Sequence, residues 1–218
     1  MGNDFDNDHA GSANQHGKSF KWTTEEFVPS HTYLWPCLRK LLSDYVGERK
    51  SFEIGCGNGD IASKINLLGW EVSGVDSSRD GIEIGNAKYP KLKLTLGSVY
   101  DDLSGKFGKF PLVYSLEVIE HLYYPRKLAK VAYDLLEPGG TFILSTPYHG
   151  YWKNLILAIT GKMDKHFTVL WDDGHIKFFS PQTLTILLEE VGFKVQSVLR
   201  VGRVQFLAKS MIVIAKKS

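Results

Sequence analysis

The sequence predicts an α/β protein built on a doubly wound, mostly parallel sheet with helices on both faces. Short apolar runs of strand length alternate with segments in which apolar residues recur at helical spacing. Such alternation favours parallel strands, because each helix returns the chain to the edge where the next strand begins. The last two predicted strands, around 193–200 and 209–215, have no helix between them and are therefore expected to form an antiparallel hairpin at one edge.

The first half of the chain contains the first predicted helices and strands. Residues 30–46 carry apolar side chains at helical spacing, and Pro36 is expected in the first turn, where its missing amide costs least. Strands are then predicted over 51–54, 71–75 and 92–96, and helices over 61–68 and 78–88. Gly69 is expected to end the earlier of these two helices.

The second half of the chain continues the alternation and then interrupts it. The remaining elements are strands over 110–116 and 141–145, a helix that begins at Pro125 and a helix from Pro181 through Glu190. Residues 105–108 are interpreted as a loop, and Pro138-Gly139-Gly140 is expected to stop the first of these helices. Ser180 is the expected N-cap of the second, and residues 146–180 lack a regular rhythm.

Composition and length exclude several classes of protein. The 218 residues are 43% hydrophobic and 23% charged, which is ordinary for one globular domain, predicted here over 20–218. Residues 1–19 are rich in polar residues and glycine and are expected to be disordered. The 26 basic residues nearly balance the 24 acidic ones, to a net charge of +2, so no nucleic-acid partner is expected.

The cysteines and the apolar runs bear on where the protein resides. Cys37 and Cys56 have neither the spacing of a zinc site nor that of a redox motif, which fits a reducing compartment. The sequence lacks the basic stretch and apolar core of a signal peptide, and no apolar run approaches the length of a membrane span. We therefore expect a cytoplasmic protein without a transmembrane segment.

A glycine-rich loop follows the first predicted strand. Residues 53–59 read Glu-Ile-Gly-Cys-Gly-Asn-Gly, and Asp76 ends the next strand, where a carboxylate can accept both hydroxyls of a ribose. A dinucleotide site would need a third glycine at position 60, but Asp60 is found there and would repel a pyrophosphate. A ribosylated ligand without phosphate fits better, ideally a cationic one; the alternative is a tight turn that binds nothing.

These motifs together resemble those of the class I S-adenosylmethionine-dependent methyltransferases. The glycine-rich loop resembles their first motif, residues 74–78 their ribose-binding turn, and residues 136–147 the segment that enters their fifth strand. Residues 115–122 and 173–181 are similar to the ubiquinone-biosynthesis O-methyltransferases and related small-molecule enzymes. The resemblance covers about residues 45–200. It implies a Rossmann-like, seven-stranded sheet in the order 3-2-1-4-5-7-6, with strand 7 antiparallel.

The resemblance also implies which residues hold S-adenosylmethionine, with S-adenosylhomocysteine as the product. Glu53 is expected beside the methionine part, Asp76 at the ribose and Leu116 against the cofactor. Arg39 is expected to reach the cofactor carboxylate. The other cofactor-binding residues implied are Gly55, Cys56, Gly57, Asn58, Gly59, Ser77, Ser98 and Val99. Ser98 replaces the aspartate that relatives carry for the adenine amino group, and its hydroxyl is a weaker acceptor.

A hydroxyl acceptor needs a base or a metal ion to increase its nucleophilicity. Glu117, Glu120 and His121 would share one face of a helical turn, and carboxylates with an imidazole suit a divalent cation. The resemblance implies Mg²⁺ at this trio; the alternative is that Glu120 pairs locally and His121 only shapes the acceptor pocket. His121, His175 and His166 are the candidate catalytic residues, since neutral imidazole is a base near physiological pH.

The irregular segment 146–180 is predicted to form the acceptor side of the site and its lid. Loops at the carboxyl ends of parallel strands build ligand sites in this architecture. The aromatic residues of the segment are interpreted as an acceptor pocket or as a cover over the sheet. Trp152, Leu155, Ile156 and Ile159 predict a lid helix, which could also lie on a membrane surface if the acceptor is a lipid.

The sequence therefore predicts a cytoplasmic enzyme that transfers a methyl group from S-adenosylmethionine to a small molecule, with a hydroxyl oxygen as the expected acceptor atom. N- or C-methylation needs no change in the cofactor site and is the alternative within this class. A regulatory protein that binds the cofactor without catalysis is the alternative outside it. An NAD-dependent oxidoreductase is disfavoured by Asp60.

Overall fold

The structure, a computed structural model, describes residues 28–167, 169–171 and 174–218, so the disorder predicted for 1–19 lies outside the described residues. The strands are Lys50–Ile54 (β1), Glu71–Asp76 (β2), Lys93–Leu96 (β3), Phe110–Leu116 (β4), Leu136–Pro147 (β5), Phe193–Val201 (β6) and Ser210–Lys217 (β7). The α-helices are His31–Ser43 (α1), Asp60–Asn66 (α2), Arg79–Lys88 (α3), Leu103–Phe107 (α4), Pro125–Leu135 (α5), Tyr151–Ile159 (α6), Met163–Phe167 (α7) and Pro181–Glu189 (α8).

The described strands form a seven-stranded sheet in the order β3-β2-β1-β4-β5-β7-β6. β1 to β5 run parallel, and β7 lies antiparallel between β5 and β6. The predicted fold class, a Rossmann-like doubly wound sheet that ends in an antiparallel hairpin, is confirmed. From the central pair β1 and β4 the sheet extends to opposite sides. The crevice at the carboxyl ends of such a pair is where open sheets of this type bind ligands.

Helices cover both faces of the sheet because side chains alternate between the faces along each strand. In β4, Val113 packs on one face against the buried sides of α5 and α8, which include Leu128 and Leu184. Leu112 and Tyr114, its neighbours in the strand, pack on the other face with α1, α2 and α3. Burying each such large apolar side chain contributes about 1.5–3 kcal/mol, so the two layers hold the strand ends in place.

The first helix differs from the prediction in where its proline lies. α1 starts at His31, so Pro36 is in the second turn and not in the first. The amide that Pro36 lacks would have bonded to the Thr32 carbonyl, which costs the helix one hydrogen bond. Complete burial of Leu34 and Leu38 against the sheet offsets that loss, and the helix therefore extends beyond the proline toward its N-terminus.

Two predicted turns also have different structures. Residues 105–107 belong to α4 and not to a loop, because the Asp102 carboxylate accepts the Gly105 amide at 2.9 Å and caps that helix. α5 ends at Leu135, before the predicted stop at Pro138, because β5 begins at the next residue, Leu136. The pairing of β5 with β4 is irregular there, since its register shifts between Phe110 and Leu112.

The segment 146–180 is less irregular than predicted, since α6 and α7 lie within it. α6 is the predicted lid helix. At the end of the segment Ser180 caps α8 as predicted, with its hydroxyl accepting the Thr183 amide at 3.2 Å. Across the described ranges, no helix combines the length and the apolar character needed to cross a bilayer.

Candidate active site

The carboxyl ends of β1, β2 and β4 open onto a cavity of about 1480 Å³. Ligand pockets usually measure about 300–1,000 Å³, so this cavity has room for more than one small molecule. The glycine-rich loop, three strand ends, the start of α1 and the segment after β5 supply its walls. The predicted cofactor-binding residues that line it are Glu53, Gly55, Cys56, Gly57, Asp76, Ser77, Ser98, Val99 and Leu116.

Three predicted cofactor-binding residues are not among the described residues that line the cavity. Arg39 is exposed on the outer side of α1, so the structure does not bring it to the site. Asn58 and Gly59 form the turn into α2, where the Asn58 side chain accepts the Asp60 amide at 3.3 Å. A Cβ at Gly59 would lie 2.7 Å from Leu94. These two residues shape the loop, and a direct contact with the cofactor stays a prediction.

The backbone of the glycine-rich loop is held against β2. The amides of Gly55 and Cys56 both donate to the Val75 carbonyl, at 2.8 and 3.0 Å. Gly55 has a φ of 83°, and a Cβ there would lie 2.4 Å from the Val118 side chain. Both the backbone conformation and the lack of space therefore require glycine. Burial raises the pKa of the Cys56 thiol well above its usual range, which fits a small packing residue and not a nucleophile.

Replacing Gly55 with alanine is expected to destabilise the fold more than replacing Gly69. Both residues have positive φ, but only the Arg49 side chain, at 3.8 Å, comes near a Cβ at Gly69. Backbone strain alone should cost Gly69→Ala about 1–2 kcal/mol. The Val118 contact should add about 1–3 kcal/mol to that cost in Gly55→Ala. Urea unfolding of both variants measures the difference, and equal losses would refute the importance of the Val118 contact.

Asp76 is oriented at the cavity wall by backbone amides. Its Oδ2 accepts the Gly57 amide at 2.7 Å, and its Oδ1 accepts the Ser78 amide at 2.8 Å. Burial raises the pKa of Asp76, and hydrogen bonds from the amides of Ser78, Gly57 and Ser77 oppose that shift because they stabilise the carboxylate. A carboxylate fixed in this way at the cavity wall can accept the hydroxyls of a ribose.

Glu53 places a buried carboxyl group at the inner end of the same cavity. Its side chain is 3% exposed, and its Oε2 accepts the Tyr114 hydroxyl at 3.1 Å. Burial raises the pKa of Glu53 to about 8. A cation bound beside Glu53 would favour the carboxylate, so a cationic ligand and a proton compete for this group.

Glu117 does not join the metal site that the sequence predicts. It has a φ of 55°, and the turn that follows, Ile119–His121, is a 3₁₀ helix and not an α-helix. Residues 117, 120 and 121 therefore do not share one face. The Glu117 carboxylate instead accepts the hydroxyls of Ser145 at 2.8 Å and Ser210 at 3.1 Å. Burial raises the pKa of Glu117 to about 7.

The structure brings His175 to Glu120 and His121 in place of Glu117. One potential ligand atom from each of these three residues lies within 4.8 Å of the others. The amides of Ile176 and Lys177 donate to the Glu120 carbonyl at 2.9 and 3.0 Å, which holds the segment that carries His175 against the turn. The rings of His121 and His175 are 4.8 Å apart, in an edge-to-face arrangement.

The chemistry of this trio fits a divalent cation. Glu120 is fully buried; its Oε2 accepts the Thr146 hydroxyl at 3.0 Å, and its Oε1 has no hydrogen-bond partner among the described residues. A buried oxygen without a partner is costly unless a ligand satisfies it. One carboxylate and two imidazoles, from His121 and His175, suit a divalent transition metal with water completing the shell, whereas the predicted Mg²⁺ prefers oxygen ligands. These three residues could therefore hold a metal ion.

Several residues that line the cavity were not predicted as site residues, among them His149, Lys153 and Tyr33. The ring of His149 is 5.4 Å from that of His166, a predicted site residue that lines the cavity from α7. The position of His149 just after β5 was a usable signal, since strand ends build the site. The single lysine within the apolar α6 was a second usable signal. Tyr33 gave no such signal, because it reaches the cavity only through the packing of α1 against the sheet.

α6 lines the cavity with one side and exposes the other. Lys153, Ile156 and Leu157 line the cavity, whereas Trp152 is 61% exposed and Ile159 is 75% exposed. This arrangement suits a cover over the acceptor side. The lid function and the peripheral membrane contact that the sequence suggested for this helix stay predictions.

A family model described as a methyltransferase domain matches residues 38–198. The chain belongs to this family. The predicted membership of the class I S-adenosylmethionine-dependent methyltransferases is confirmed. Nine of the residues predicted to hold the cofactor line the cavity of this methyltransferase domain, and their contacts with the cofactor stay predictions.

Relatives and solved structures agree with this assignment. A ubiquinone biosynthesis O-methyltransferase from Dinoroseobacter shibae is 27% identical over 172 residues, which are 72% of this chain and 68% of the relative. A probable S-adenosylmethionine-dependent methyltransferase from Mycolicibacterium smegmatis is 29% identical over 70% of this chain and 55% of its own length. The matches therefore span little more than half to two thirds of these relatives.

Solved structures with the fold of this methyltransferase domain include a methyltransferase with a bound product. Magnesium protoporphyrin IX methyltransferase from Synechocystis, solved with bound S-adenosylhomocysteine, superposes with a TM-score of 0.65 over 85% of this chain and 82% of its own. Its sequence identity is 16%, so the likeness concerns the fold.

Proposed function

We propose that this domain transfers a methyl group from S-adenosylmethionine to a hydroxyl oxygen of a small-molecule acceptor. The observation that carries the proposal is one continuous cavity with two chemically different ends. Asp76 and Glu53 line the end that suits a cationic adenosyl ligand, and His121 and His175 line the other. Displacement at a sulfonium carbon needs an acceptor aligned in a water-poor cavity, and a volume of about 1480 Å³ accommodates both molecules.

The histidine end supports an oxygen acceptor. A hydroxyl group loses its proton as it attacks, so it needs a base or a cation beside it. Burial lowers the pKa of His175 to about 4, which makes it a weak base but leaves it neutral and free to ligate a metal. A divalent cation held by Glu120, His121 and His175 would supply the positive charge that lowers the pKa of the acceptor hydroxyl. Nitrogen acceptors with a free lone pair do not require this arrangement.

Two measurements test the proposed function. Calorimetric titration with S-adenosylhomocysteine should show micromolar binding, about −8 kcal/mol. Transfer of a labelled methyl group from S-adenosylmethionine should then be assayed against catechols, amines and activated carbon acids, with and without Mg²⁺ after treatment with EDTA. Transfer to the catechols alone supports the proposal. Binding without transfer to any acceptor would favour a regulatory protein, and transfer to nitrogen or carbon, or no binding, would contradict the proposal.

Binding of S-adenosylhomocysteine is expected to release a proton from Glu53 below pH 8. The free protein holds this carboxyl group protonated up to about pH 8, and the bound ammonium group favours the carboxylate. Affinity should therefore rise as the pH increases from 6 to 8, by roughly tenfold. Calorimetry in two buffers of different ionisation enthalpy counts the proton. The Glu53→Gln variant should lose the pH dependence, and a wild-type affinity that is flat over this range would contradict the expectation.

A further inference from the structure

One part of the cavity lining carries cationic side chains that form no ion pair among the described residues. Lys153, Lys162, Arg203 and Lys209 line the cavity near the helices that follow β5. Among the described residues, none of the four has a carboxylate oxygen within 4 Å of its charged group. The Glu117 carboxyl group acts on Lys153 only at longer range and is hydrogen-bonded by the hydroxyls of Ser145 and Ser210. The described residues therefore provide no direct ion pair for this positive charge.

Lys153 is the buried member of this group. α6 turns it inward, so that the residue is 9% exposed next to the exposed Trp152. Its ammonium group donates one hydrogen bond, to the Tyr148 carbonyl at 2.8 Å, which leaves two N–H donors available. Burial and the nearby Arg203 lower the pKa of Lys153 to about 8, so it still carries its charge at pH 7. Keeping a desolvated ammonium group without a direct ion-pair partner is costly, which points to a ligand that supplies one.

His149 provides a second polar group beside this lysine. It is 7% exposed and lines the cavity, and its ring interacts with the Asn154 side chain, although neither its Nδ1 nor the Asn154 Oδ1 makes a hydrogen bond of good geometry among the described residues. Burial and the charge of Lys153 lower the pKa of His149 to about 4, so the imidazole is neutral. It therefore offers a directed hydrogen bond and no charge. A buried ring nitrogen whose hydrogen bond has poor geometry is a second sign that a ligand group belongs here.

We propose that Lys153, with Arg203 and His149 beside it, binds an acidic group, a carboxylate or a phosphate, carried by the methyl acceptor. This inference rests on the proposed function and names the substrate class for the same cavity. The ammonium and guanidinium groups supply the charge, and the imidazole supplies one directed hydrogen bond. A neutral acceptor would leave Lys153 desolvated without a direct ion-pair partner, so the site selects for acidic acceptors.

Calorimetry on the S-adenosylhomocysteine complex of the full chain tests this proposal. Catechol and 3,4-dihydroxybenzoate are matched probes that differ only in a carboxylate, and inorganic phosphate tests the other acidic group. We expect the preferred acidic probe to bind at least tenfold more tightly than catechol. Lys153→Gln should reduce that preference to within twofold, and Lys153→Arg should retain most of it. The control is Lys165→Gln, an exposed lysine of α7 outside the cavity lining, which should change nothing.

The outcomes separate this proposal from the proposed function. Preference for 3,4-dihydroxybenzoate identifies a carboxylate, and preference for phosphate identifies a phosphate. Equal binding of acidic and neutral probes, no binding of either acidic probe, or a preference that persists in Lys153→Gln would overturn the proposal. The affinity for S-adenosylhomocysteine is recorded in every variant. Its absence in the wild type would count against the proposed function, and the same probes are then compared on the ligand-free protein.

Discussion

The Asp76→Ala variant is expected to bind S-adenosylhomocysteine about 150-fold to 25,000-fold more weakly than the wild type. Backbone amides fix the Asp76 carboxylate at the cavity wall, where it can accept the two ribose hydroxyls. Hydrogen bonds to charged groups contribute about 1.5–3 kcal/mol each, and the variant loses both. Isothermal titration calorimetry measures the loss directly.

Two further variants make the Asp76 result specific. Asp80→Ala removes a carboxylate from the exposed first turn of α3, outside the cavity lining, and should leave the affinity unchanged. Asp76→Asn keeps one acceptor oxygen and should lie between the wild type and the alanine variant. Urea unfolding of each variant shows whether the amides of Gly57 and Ser78, now without their acceptor, destabilise the loop. An Asp76→Ala affinity within threefold of the wild type would refute the ribose contact.

The His175→Ala variant is expected to reduce kcat for methyl transfer to a hydroxyl acceptor by about 100-fold to 10,000-fold, with the cofactor affinity unchanged. Placement of a base or of a ligated cation beside the acceptor proton contributes a factor of this size. His175 lies with His121 and Glu120 in the compact set of potential ligands and lines the same cavity as Asp76. Steady-state kinetics with saturating S-adenosylmethionine measures the effect.

His166→Ala is the matched control for His175→Ala. His166 also lines the cavity, but it lies on α7 and outside the set of potential metal ligands. We expect it to cost less than tenfold in kcat. If the set holds a metal ion, treatment with EDTA should reduce the wild-type rate but not the residual rate of His175→Ala. A larger loss in His166→Ala than in His175→Ala would move the chemistry to the other histidine.

The sheet and the cofactor half of the site could be predicted from the sequence because their signals are local. β1, the glycine-rich loop and Asp76 follow one another within a short stretch, and each has its own pattern of residues. Gly55 and Gly57 need positive φ, which glycine tolerates and other residues rarely adopt. The order of the strands followed from the family resemblance and agrees with the structure.

The acceptor half could be predicted only in part because its geometry depends on tertiary packing. The positive φ of Glu117 and the 3₁₀ turn after it changed which residues meet, and no local pattern distinguishes that turn from an α-helical one. His175 approaches Glu120 because the next two residues, Ile176 and Lys177, donate their amides to the Glu120 carbonyl, and that contact joins parts of the chain that are far apart in sequence. Likewise, Lys153 faces inward because of how α6 packs, which spacing along one helix does not determine.

The residues that line the cavity come from separate stretches of the chain. Residues 53–118 include those predicted to hold the cofactor, and residues 147–178 and 203–210 include those proposed for the acceptor. Under the proposed function, mutations in the later stretches would alter substrate choice without disturbing the donor site. A lineage could in this way acquire new acceptors by exchanging the segment after the fifth strand, while the sheet and the glycine-rich loop are inherited unchanged. Grafting this segment between related domains would be the corresponding route for engineering.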